Sequence, residues 1–260
     1  MTLDLRALDL DRLNTLTKYP SIPTYHALDP KNGKLLPVLT SFAGPVVLTE
    51  KIDGTNTRIA ALPGRTYLIG SRGEWLHARG DLIHNPALGI VDAVRAVAER
   101  ICEQVTIPDD TAVVFYGEVY GGKVTGASKQ YTRDRSVFGF RLFDVAEIDD
   151  AQARLTQPAA MISAWRENGG QAFADEDALN THAQRLGVAL TPRVGSLDGS
   201  AVPTDLAEMA DFLRDRIPTT LAKLEADAAG QPEGLVLRSR DRATIAKARF
   251  SDYRRTLRNR

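Results

Sequence analysis

Short apolar runs recur along the chain and predict a protein rich in β-strands. Their β-branched and aromatic residues favour extended structure. The predicted strands lie at 46–52, 57–62, 66–71, 111–122, 136–148, 233–239 and 243–250. Asp53 and Gly54 separate the first two runs, and an Asp-Gly pair between strands predicts a two-residue β-hairpin turn. We therefore expect these two strands to pair with each other.

A second pattern, with apolar residues three or four positions apart, predicts amphipathic helices. In the clearest case apolar positions recur from Ile90 to Val105, preceded by Asn85 as a candidate N-cap and Pro86 as the first helical residue. A shorter amphipathic helix is predicted at 3–16. Helices are therefore expected both before and between the strands.

The chain becomes acidic and mostly helical over residues 151–230. One helix is predicted at 175–187, where Gly187 is a candidate C-cap because glycine readily adopts the left-handed conformation. Another is predicted at 204–217, with Thr204 as its expected N-cap. We interpret this region as a helical acidic insertion.

Together these patterns predict an α+β fold of mostly antiparallel sheets flanked by helices. Strands and helices do not alternate as regular βαβ units, and neither an internal repeat nor a low-complexity linker divides the chain. We expect residues 1–260 to form a single domain, with residues 1–45 as an N-terminal extension. Prolines between residues 18 and 30 make that part of the extension a loop or an edge strand.

Composition is typical of a globular protein. Of the 260 residues, 43% are hydrophobic and 25% are charged. No window is apolar enough for a membrane span, and the first residues do not form a secretion signal. The single cysteine, Cys102, excludes an internal disulfide and a multi-cysteine zinc site. We therefore expect a cytoplasmic protein.

Charge is unevenly distributed, although the formal net charge is zero. Residues 144–233 contain 16 acidic residues and seven Lys or Arg, whereas residues 238–260 contain nine Lys or Arg and two Asp. A local excess of Lys and Arg is typical of phosphate-binding surfaces, and a solvated basic tail fits the C-terminal pattern as well. We therefore expect the functional site to lie outside the acidic insertion.

Lys51 is the first candidate for chemistry, because it precedes the predicted turn by two residues in a strand that is otherwise predicted to be buried. In a two-residue hairpin Lys51 is opposite Asn56, and Thr49 is opposite Arg58. Lys51 then shares a face with Asn56 and Arg58. A lysine that loses its proton on a low-dielectric face near other cations is a nucleophile. Taken alone, the position also fits a solvated strand end.

Two acidic residues and a pair of cations extend this pattern. Glu118 and Glu233 each stand beside glycine in an apolar strand, and such carboxylates suit a hard cation such as Mg²⁺. Lys247 and Arg249 are two residues apart in the last predicted strand. Both side chains therefore point to the same face of the strand, from which they can hold one phosphate group. In isolation, surface ion pairs, strand-end acids or an alternating polar face account for these residues equally simply.

Six short motifs follow one another in a recognisable order. They are EKIDGTN at 50–56, SR at 71–72, YGEVYG at 116–121, RLFDV at 141–145, EGLVLR at 233–238 and KAR at 247–249. This order resembles motifs I, Ia, III, IIIa, IV and V of the covalent nucleotidyltransferases, which comprise ATP-dependent DNA ligases, RNA ligases and GTP-dependent capping enzymes. The first motif looks most like the RNA ligase 2 type. The resemblance implies the nucleotidyltransferase fold, the ATP-grasp-like adenylation fold of ligases.

The resemblance also implies an activity and a set of site residues. In an ATP-dependent RNA ligase, Lys51 attacks the α-phosphorus of ATP, expels pyrophosphate and holds AMP through a phosphoramidate, while Lys247 and Glu233 assist. The implied nucleotide-binding residues are Glu50, Lys51, Ile52, Asn56, Arg72, Glu118, Phe143, Lys247 and Arg249. Phe143 is expected to stack on adenine. The implied ligands of Mg²⁺ or Mn²⁺ are Asp53, Glu118 and Glu233.

The later steps of such a ligase need RNA. AMP passes to a 5′-phosphate end, which is then joined to a 3′-hydroxyl, for example in a nicked duplex. Four basic residues between two strands are candidate phosphate contacts: Lys123, Lys129, Arg133 and Arg135. An exposed basic loop fits them as well. We expect a monomer that contacts no membrane.

This chain departs from the family pattern in two ways. The last motif ordinarily has lysine at both ends, whereas Arg249 stands at the second position and contacts phosphate with a different geometry. Only eleven residues follow Arg249, so no C-terminal OB domain is expected and strand joining depends on other parts. The alternatives are a DNA ligase, a guanylyltransferase, or, in another class, a noncatalytic nucleic-acid-binding module that takes up no AMP.

Overall fold

The computed structural model describes residues 5–80, 83–85 and 87–258. Leu3, Pro86 and Arg260, to which the sequence assigned helical or tail positions, lie outside the described residues. The strands are β1 (His26–Leu28), β2 (Leu35–Leu39), β3 (Pro45–Lys51), β4 (Thr55–Leu62), β5 (Thr66–Ser71), β6 (Trp75–Ala78), β7 (Ile83–His84), β8 (Ala112–Gly121), β9 (Phe138–Ile148), β10 (Ala172–Phe173), β11 (Arg193–Asp198), β12 (Gly234–Ser239) and β13 (Ile245–Arg249). Each strand predicted from the sequence is present.

Helices connect and cover these strands. They are α1 (Leu10–Thr17), α2 (Ile90–Gln104), α3 (Ala151–Leu155), α4 (Ala159–Glu167), α5 (Glu176–Leu186), α6 (Leu206–Arg216) and α7 (Phe250–Leu257), with short 3₁₀ turns at Ala87–Gly89, Gly126–Gln130 and Gly199–Ala201. The C-cap Gly187 is confirmed and is left-handed. The N-cap of α6 is Asp205 rather than Thr204, because the Asp205 carboxylate accepts hydrogen bonds from the first turn.

The helix predicted from Pro86 begins later than expected, at Ile90. Leu88 and Gly89 have positive φ angles of 58° and 71°, so the chain turns sharply before the helix starts. Asn85 is therefore too far from the first turn to be its N-cap, and Gly89 occupies that position. The apolar positions of the predicted helix nevertheless form its buried face.

Two antiparallel sheets form the framework. The larger sheet has seven strands in the order β10-β9-β8-β4-β5-β6-β7, and the smaller has four in the order β11-β3-β12-β13. Strands β1 and β2 form a separate pair. Residues 151–230 contribute helices α3 to α6, and they also supply an edge strand to each sheet, β10 and β11. This region is thus more closely joined to the sheets than its helical pattern suggests.

Each sheet has its own apolar core. Helices α2 and α5 cover one face of the larger sheet, and α1, α3 and α4 cover the other. Helices α6 and α7 cover one face of the smaller sheet. The remaining face of the smaller sheet turns towards the larger one. Among the described residues, every helix is too short or too polar to span a bilayer.

The predicted hairpin between β3 and β4 is wrong. Strand β3 pairs with β11 and β12, and β4 pairs with β5 and β8, so the chain crosses from one sheet to the other at residues 52–54. Ile52 is buried against Tyr120 and Tyr131, and the Asp53 N–H donates to the Tyr131 hydroxyl (2.7 Å). These long-range contacts fix a connection between sheets instead of a local turn.

The cross-strand partners inferred from that hairpin are consequently wrong too. Lys51 is opposite Gly234, and Asn56 is opposite Glu118. Arg58 is 1% exposed and lies over the ring of Trp75 at 4.3 Å, within the core beneath α1. Arg58 therefore does not share a surface with Lys51.

Candidate active site

A cavity of about 410 Å³ lies between the two sheets. The cavity is lined by the end of β3, the crossover after it, β4, β8, β9, β11, β12 and β13, the turn after β5 and the segment before β1. Nine residues singled out from the sequence line it: Glu50, Lys51, Ile52, Asn56, Arg72, Glu118, Phe143, Glu233 and Lys247. Asp53 and Arg249 are not among its lining residues.

Lys51 and Glu233 form an ion pair, and both residues line the cavity. Lys51 ends β3, Glu233 immediately precedes β12, and the Glu233 N–H donates to the Lys51 carbonyl (3.2 Å). The side chains of Lys51 and Glu233 are 25% and 22% exposed, so both remain accessible to a bound molecule. Strand pairing thus holds a nucleophile and a carboxylate in contact at an open site.

Glu118, on β8 of the larger sheet, adds a second carboxylate to the cavity. Burial raises the pKa of Glu118 to about 8; the nearby Lys51 charge lowers it, and the charges of Glu233 and Asp53 raise it. Burial disfavours the ionised form of this carboxyl group, and an additional positive charge nearby would stabilise that form. Among the described residues, no group of three or more acidic, histidine or cysteine side chains is arranged to hold a metal ion.

Lys247 faces the cavity from β13 and is half-buried. Burial lowers the pKa of Lys247, and the positive charges of Arg249, Lys51 and Arg72 lower it further, against the opposing effect of Glu233. Arg72 reaches the cavity from the turn after β5. This concentration of positive charge favours a polyanionic ligand.

Arg249 lies at the end of β13, where its guanidinium contacts two carboxylates. Its Nε and Nη2 donate to the two oxygens of buried Asp252 (2.7 and 3.2 Å), and its Nη1 lies 4.0 Å from Glu233 Oε1. The structure therefore does not bring Arg249 into the cavity beside Lys247. Instead, Arg249 connects Asp252 of α7 to Glu233, the partner of Lys51.

Phe143 reaches the cavity because of a β-bulge. Tyr116 pairs with Asp144 and Gly117 with Leu142, so Phe143 has no partner in the ladder between β8 and β9. A bulge redirects the side chain of its extra residue. The Arg238 guanidinium fixes the bulge by donating to the Phe143 carbonyl (3.1 Å). An aromatic face is thereby presented to the cavity.

Glu50 and Ile52 flank Lys51 in the sequence, and their contacts fix the position of the strand end that carries it. The Glu50 carboxylate accepts hydrogen bonds from the Thr220 hydroxyl (2.5 Å) and from the N–H groups of Leu221 (2.7 Å) and Ala222 (3.1 Å). Burial raises the pKa of Glu50, and these hydrogen bonds lower it. Glu50 thus attaches the loop before β12 to the strand that carries Lys51.

The four candidate nucleic-acid contacts are exposed on the connection between β8 and β9. None of Lys123, Lys129, Arg133 and Arg135 lines the cavity. Arg133 is partly engaged, because its guanidinium lies 3.4 Å from an Asp227 oxygen and its N–H donates to Glu225 (2.6 Å). The remaining basic side chains of this connection are available to solvent.

Sequence reasoning missed several residues at the end of the cavity near Phe143. Tyr19, Arg193 and Arg238 line it, and Asp144 and Arg242 lie behind. Arg238 ends the EGLVLR motif and Asp144 belongs to RLFDV, so their positions within motifs were the available signal. Tyr19 and Arg193 lie outside every motif, and no sequence signal pointed to them.

Comparisons with known proteins give a family and a fold. The RNA ligase family model matches residues 44–251. The Naegleria gruberi RNA ligase with PPi is 14% identical over 93% of this chain and 64% of its own, with a TM-score of 0.53. An archaeal ATP-dependent RNA ligase is 18% identical over 91% of this chain and 49% of its own, with a TM-score of 0.52.

A further solved structure, a variant of the Naegleria gruberi RNA ligase with ATP and Mn, is 12% identical over 94% of this chain and 63% of its own, with a TM-score of 0.54. At such identities these likenesses show a shared fold. This chain spans less than two thirds of the length of these proteins. No curated protein matches it in sequence.

Proposed function

This chain belongs to the RNA ligase family, and from that membership we propose that it is an ATP-dependent RNA ligase with Lys51 as its nucleophile. The observation that carries the proposal is the convergence of a lysine, two carboxylates and a second cation on one cavity. These groups are Lys51, Glu118, Glu233 and Lys247. A noncatalytic binding module has no need for a nucleophile and two carboxylates together.

In the first step, Lys51 Nζ attacks the α-phosphorus of ATP. The Nζ–P bond forms as the bond from the α-phosphorus to the bridging oxygen breaks, and pyrophosphate leaves with the electron pair. Glu233 Oε2, in contact with Nζ, orients the amine and is the nearest acceptor for its proton. Most of the acceleration is expected from positioning and from stabilisation of the developing negative charge.

Lys247 and Arg72 are the cations proposed to contact the phosphates, because both line the cavity beside Lys51. Phe143 is proposed to stack on the adenine, whereas Glu118 and Asn56, opposite each other on neighbouring strands, are proposed to contact the ribose. Glu50 and Ile52 are proposed to act by fixing the strand that carries Lys51.

For Arg249 the contacts favour a role one step removed from the phosphates. Its guanidinium bonds to Asp252 and lies near Glu233, so we propose that it holds Glu233 against Lys51. A direct phosphate contact, as the family resemblance implies, requires Arg249 to leave Asp252. The two roles are separated by a substitution considered below.

A divalent cation, Mg²⁺ or Mn²⁺, fits the donor set of the cavity. Glu118 and Glu233 offer hard oxygen ligands, and Asp53 lies close enough for its charge to affect Glu118. Mg²⁺ commonly binds through one or two carboxylates, the substrate phosphates and water, so a cage of protein ligands is not needed. When bound, such an ion would neutralise charge on the phosphates and the leaving pyrophosphate.

The later steps are proposed to pass AMP to the 5′-phosphate of an RNA end and to join that end to a 3′-hydroxyl. Exposed Lys123, Lys129, Arg133 and Arg135 are the proposed contacts with RNA phosphates. Residues 1–260 are proposed to act as one adenylyltransferase domain. We also propose that the chain works as a monomer, and we assign it to the cytoplasm, where its buried thiol at Cys102 stays reduced.

Strand joining tests the whole proposal. The substrate is a nicked RNA duplex whose 5′-phosphate at the nick is radiolabelled, incubated with ATP and Mg²⁺ and then treated with phosphatase. Unjoined 5′-phosphate ends lose the label to phosphatase, and denaturing electrophoresis then separates the longer joined strand from adenylylated ends, which also keep the label. Matched labelled duplexes that lack the 3′-hydroxyl, or that have DNA strands, and a reaction with GTP complete the set. Joining of DNA alone, or with GTP alone, would contradict the proposal.

A further inference from the structure

The segment between α1 and β1 borders the cavity although it lies outside the residues that the family model matches, 44–251. Four consecutive residues of this segment line the cavity: Tyr19, Pro20, Ser21 and Ile22. The roles inferred above come from the motifs and leave this segment without a part in the reaction. Its contacts with two of the proposed nucleotide-binding residues give it one.

The first of these contacts is with the backbone of Lys247. Strand β13 is at the edge of the smaller sheet, and in the part of the chain that the structure describes the outer side of its backbone meets only an isolated parallel bridge between Thr24 and Lys247. The Lys247 N–H donates to the Pro23 carbonyl, and the Tyr25 N–H donates to the Lys247 carbonyl, both at 2.9 Å. The segment thereby satisfies the free edge of β13 at the residue that faces the cavity.

The second contact is between aromatic rings. Tyr19 meets Phe143 edge to face, with ring centroids 5.0 Å apart and an interplanar angle of 76°. Its ring also contacts Tyr116 and Phe173, at 4.9 and 5.6 Å. Because Phe143 is the unpaired residue of a bulge, strand pairing does not fix its side chain. The orientation of the Phe143 ring therefore depends on its own aromatic neighbours, which are Tyr19 and, with ring centroids 6.5 Å apart, Tyr116.

The hydroxyl of Tyr19 fixes the Tyr19 ring in turn. It donates to Asp144 Oδ2 (2.8 Å) and accepts from Arg242 Nη2 (2.9 Å), while Arg242 Nε bonds to the same Asp144 oxygen (2.7 Å). Asp144 and Arg242 are both buried. Tyr19 is thus held at its ring and at its hydroxyl, which makes it a rigid support for Phe143.

We propose that Tyr19 is a positioning residue of the nucleotide site, which holds the Phe143 ring at the angle needed to stack on the base. The inference rests on the proposed function, in which Phe143 contacts adenine. It predicts that substitution of Tyr19 lowers the affinity for a nucleotide, which has a base. The affinity for a phosphate ligand without a base is predicted to stay unchanged. A residue that only fills the core would affect both ligands together.

The test compares Tyr19→Leu, Tyr19→Phe and the unsubstituted chain by calorimetry. The first ligand is an ATP analogue whose α,β-bridging oxygen is replaced by methylene, so that Lys51 cannot expel pyrophosphate. The second is inorganic triphosphate, which has no base. Tyr67→Phe is the matched control, because the Tyr67 hydroxyl also donates to a carboxylate, that of Glu99 (2.6 Å), away from the cavity.

We expect Tyr19→Leu to weaken binding of the ATP analogue about three- to tenfold, the range of an aromatic pair, and to leave triphosphate binding unchanged. Tyr19→Phe loses the hydroxyl bonds but keeps the ring contacts with Tyr116 and Phe173, and it is expected to bind the analogue within about twofold of the unsubstituted chain. In adenylylation assays the loss appears in KM for ATP and not in kcat. Tyr67→Phe is expected to change the affinity for neither ligand.

Equal weakening of both ligands by Tyr19→Leu, or no weakening of either, would overturn the positioning role while leaving the proposed function standing. Binding of neither ligand by the unsubstituted chain would overturn both. Thermal unfolding of each variant, recorded in the same buffer, establishes that calorimetry is performed on folded protein.

Discussion

At the scale of single residues, the site depends on which cations reach the cavity. Lys247 and Arg249 are two residues apart on β13, so the sequence predicted that both face the same phosphate. In the structure Lys247 lines the cavity, whereas the Arg249 guanidinium bonds to Asp252. The difference arises because Asp252, in the first turn of α7, lies three residues after Arg249, and its buried carboxylate pairs with the Arg249 guanidinium. Equal spacing on a strand therefore does not give equal function.

This difference predicts unequal effects of substitution. Lys247→Ala removes a cation at the phosphates and is expected to lower kcat/KM for adenylylation about 100-fold or more, as loss of one transition-state contact commonly does. Arg249→Lys keeps the charge near Glu233 and is expected to leave KM for ATP within about threefold, because no phosphate contact is lost. Initial rates with labelled ATP measure both. A large rise of KM in Arg249→Lys would instead indicate a direct phosphate contact.

At the scale of elements, the crossover between β3 and β4 explains why the EKIDGTN motif contains glycine. A Cβ added to Gly54 would lie 2.4 Å from the Val119 carbonyl oxygen and 2.9 Å from Glu118 Cγ. The glycine is needed because the backbone passes directly against β8, and not because a hairpin turn requires it. This close approach brings the Lys51 strand and Glu118 to one cavity.

The crossover predicts that Gly54→Ala damages both stability and activity. Relief of the overlap has to displace β8 or the crossover, so the free energy of unfolding is expected to fall by about 1–3 kcal/mol. Adenylylation is expected to fall as Lys51 and Glu118 move apart. Urea unfolding and initial rates measure the two effects. Gly126→Ala is the control, since a Cβ there meets nothing within 4 Å; similar losses in both variants would contradict the close-approach argument.

The same crossover marks the limit of what the sequence could predict at this scale. The strands themselves were predictable, because apolar alternation and β-branched residues are local signals. Their partners were not, because β3 pairs with β11 and β12, which lie far along the chain. The Asp53-Gly54 signal was overridden by the burial of Ile52 and the pairing of each strand elsewhere. Likewise, the left-handed turn at Leu88 and Gly89 delayed the start of α2.

At the scale of the whole molecule, a buried charge network joins the two sheets behind the cavity. Asp144 on β9 contacts Arg238 on β12 (3.5 Å) and Arg242 after β12 (2.7 Å). Tyr19 connects the N-terminal segment to the same carboxylate. The sequence motifs located Asp144 and Arg238 without indicating that they meet. Only the packing of the two sheets identifies their shared role.

This network predicts that Asp144→Asn destabilises the protein strongly. Removing the carboxylate charge leaves two buried guanidinium groups with less compensation, and breaking a buried pair in this way typically lowers stability by about 3–5 kcal/mol. Denaturant unfolding measures the loss. Glu147→Gln, an exposed position on the same strand, is the control and is expected to change stability by less than about 0.5 kcal/mol. Equal stabilities for the two variants would show that the network does not hold the sheets together.

Covalent labelling of Lys51 tests the central claim most directly. The protein is incubated with Mg²⁺ and ATP labelled at the α-phosphate, denatured, and analysed by electrophoresis and by mass spectrometry of its peptides. We predict one AMP group on the peptide that contains Lys51, lost in acid and stable in alkali as expected for a phosphorus–nitrogen bond, and no label on the folded Lys51→Ala protein. Label that persists in Lys51→Ala, or that resides on another residue of the unsubstituted chain, would contradict the account.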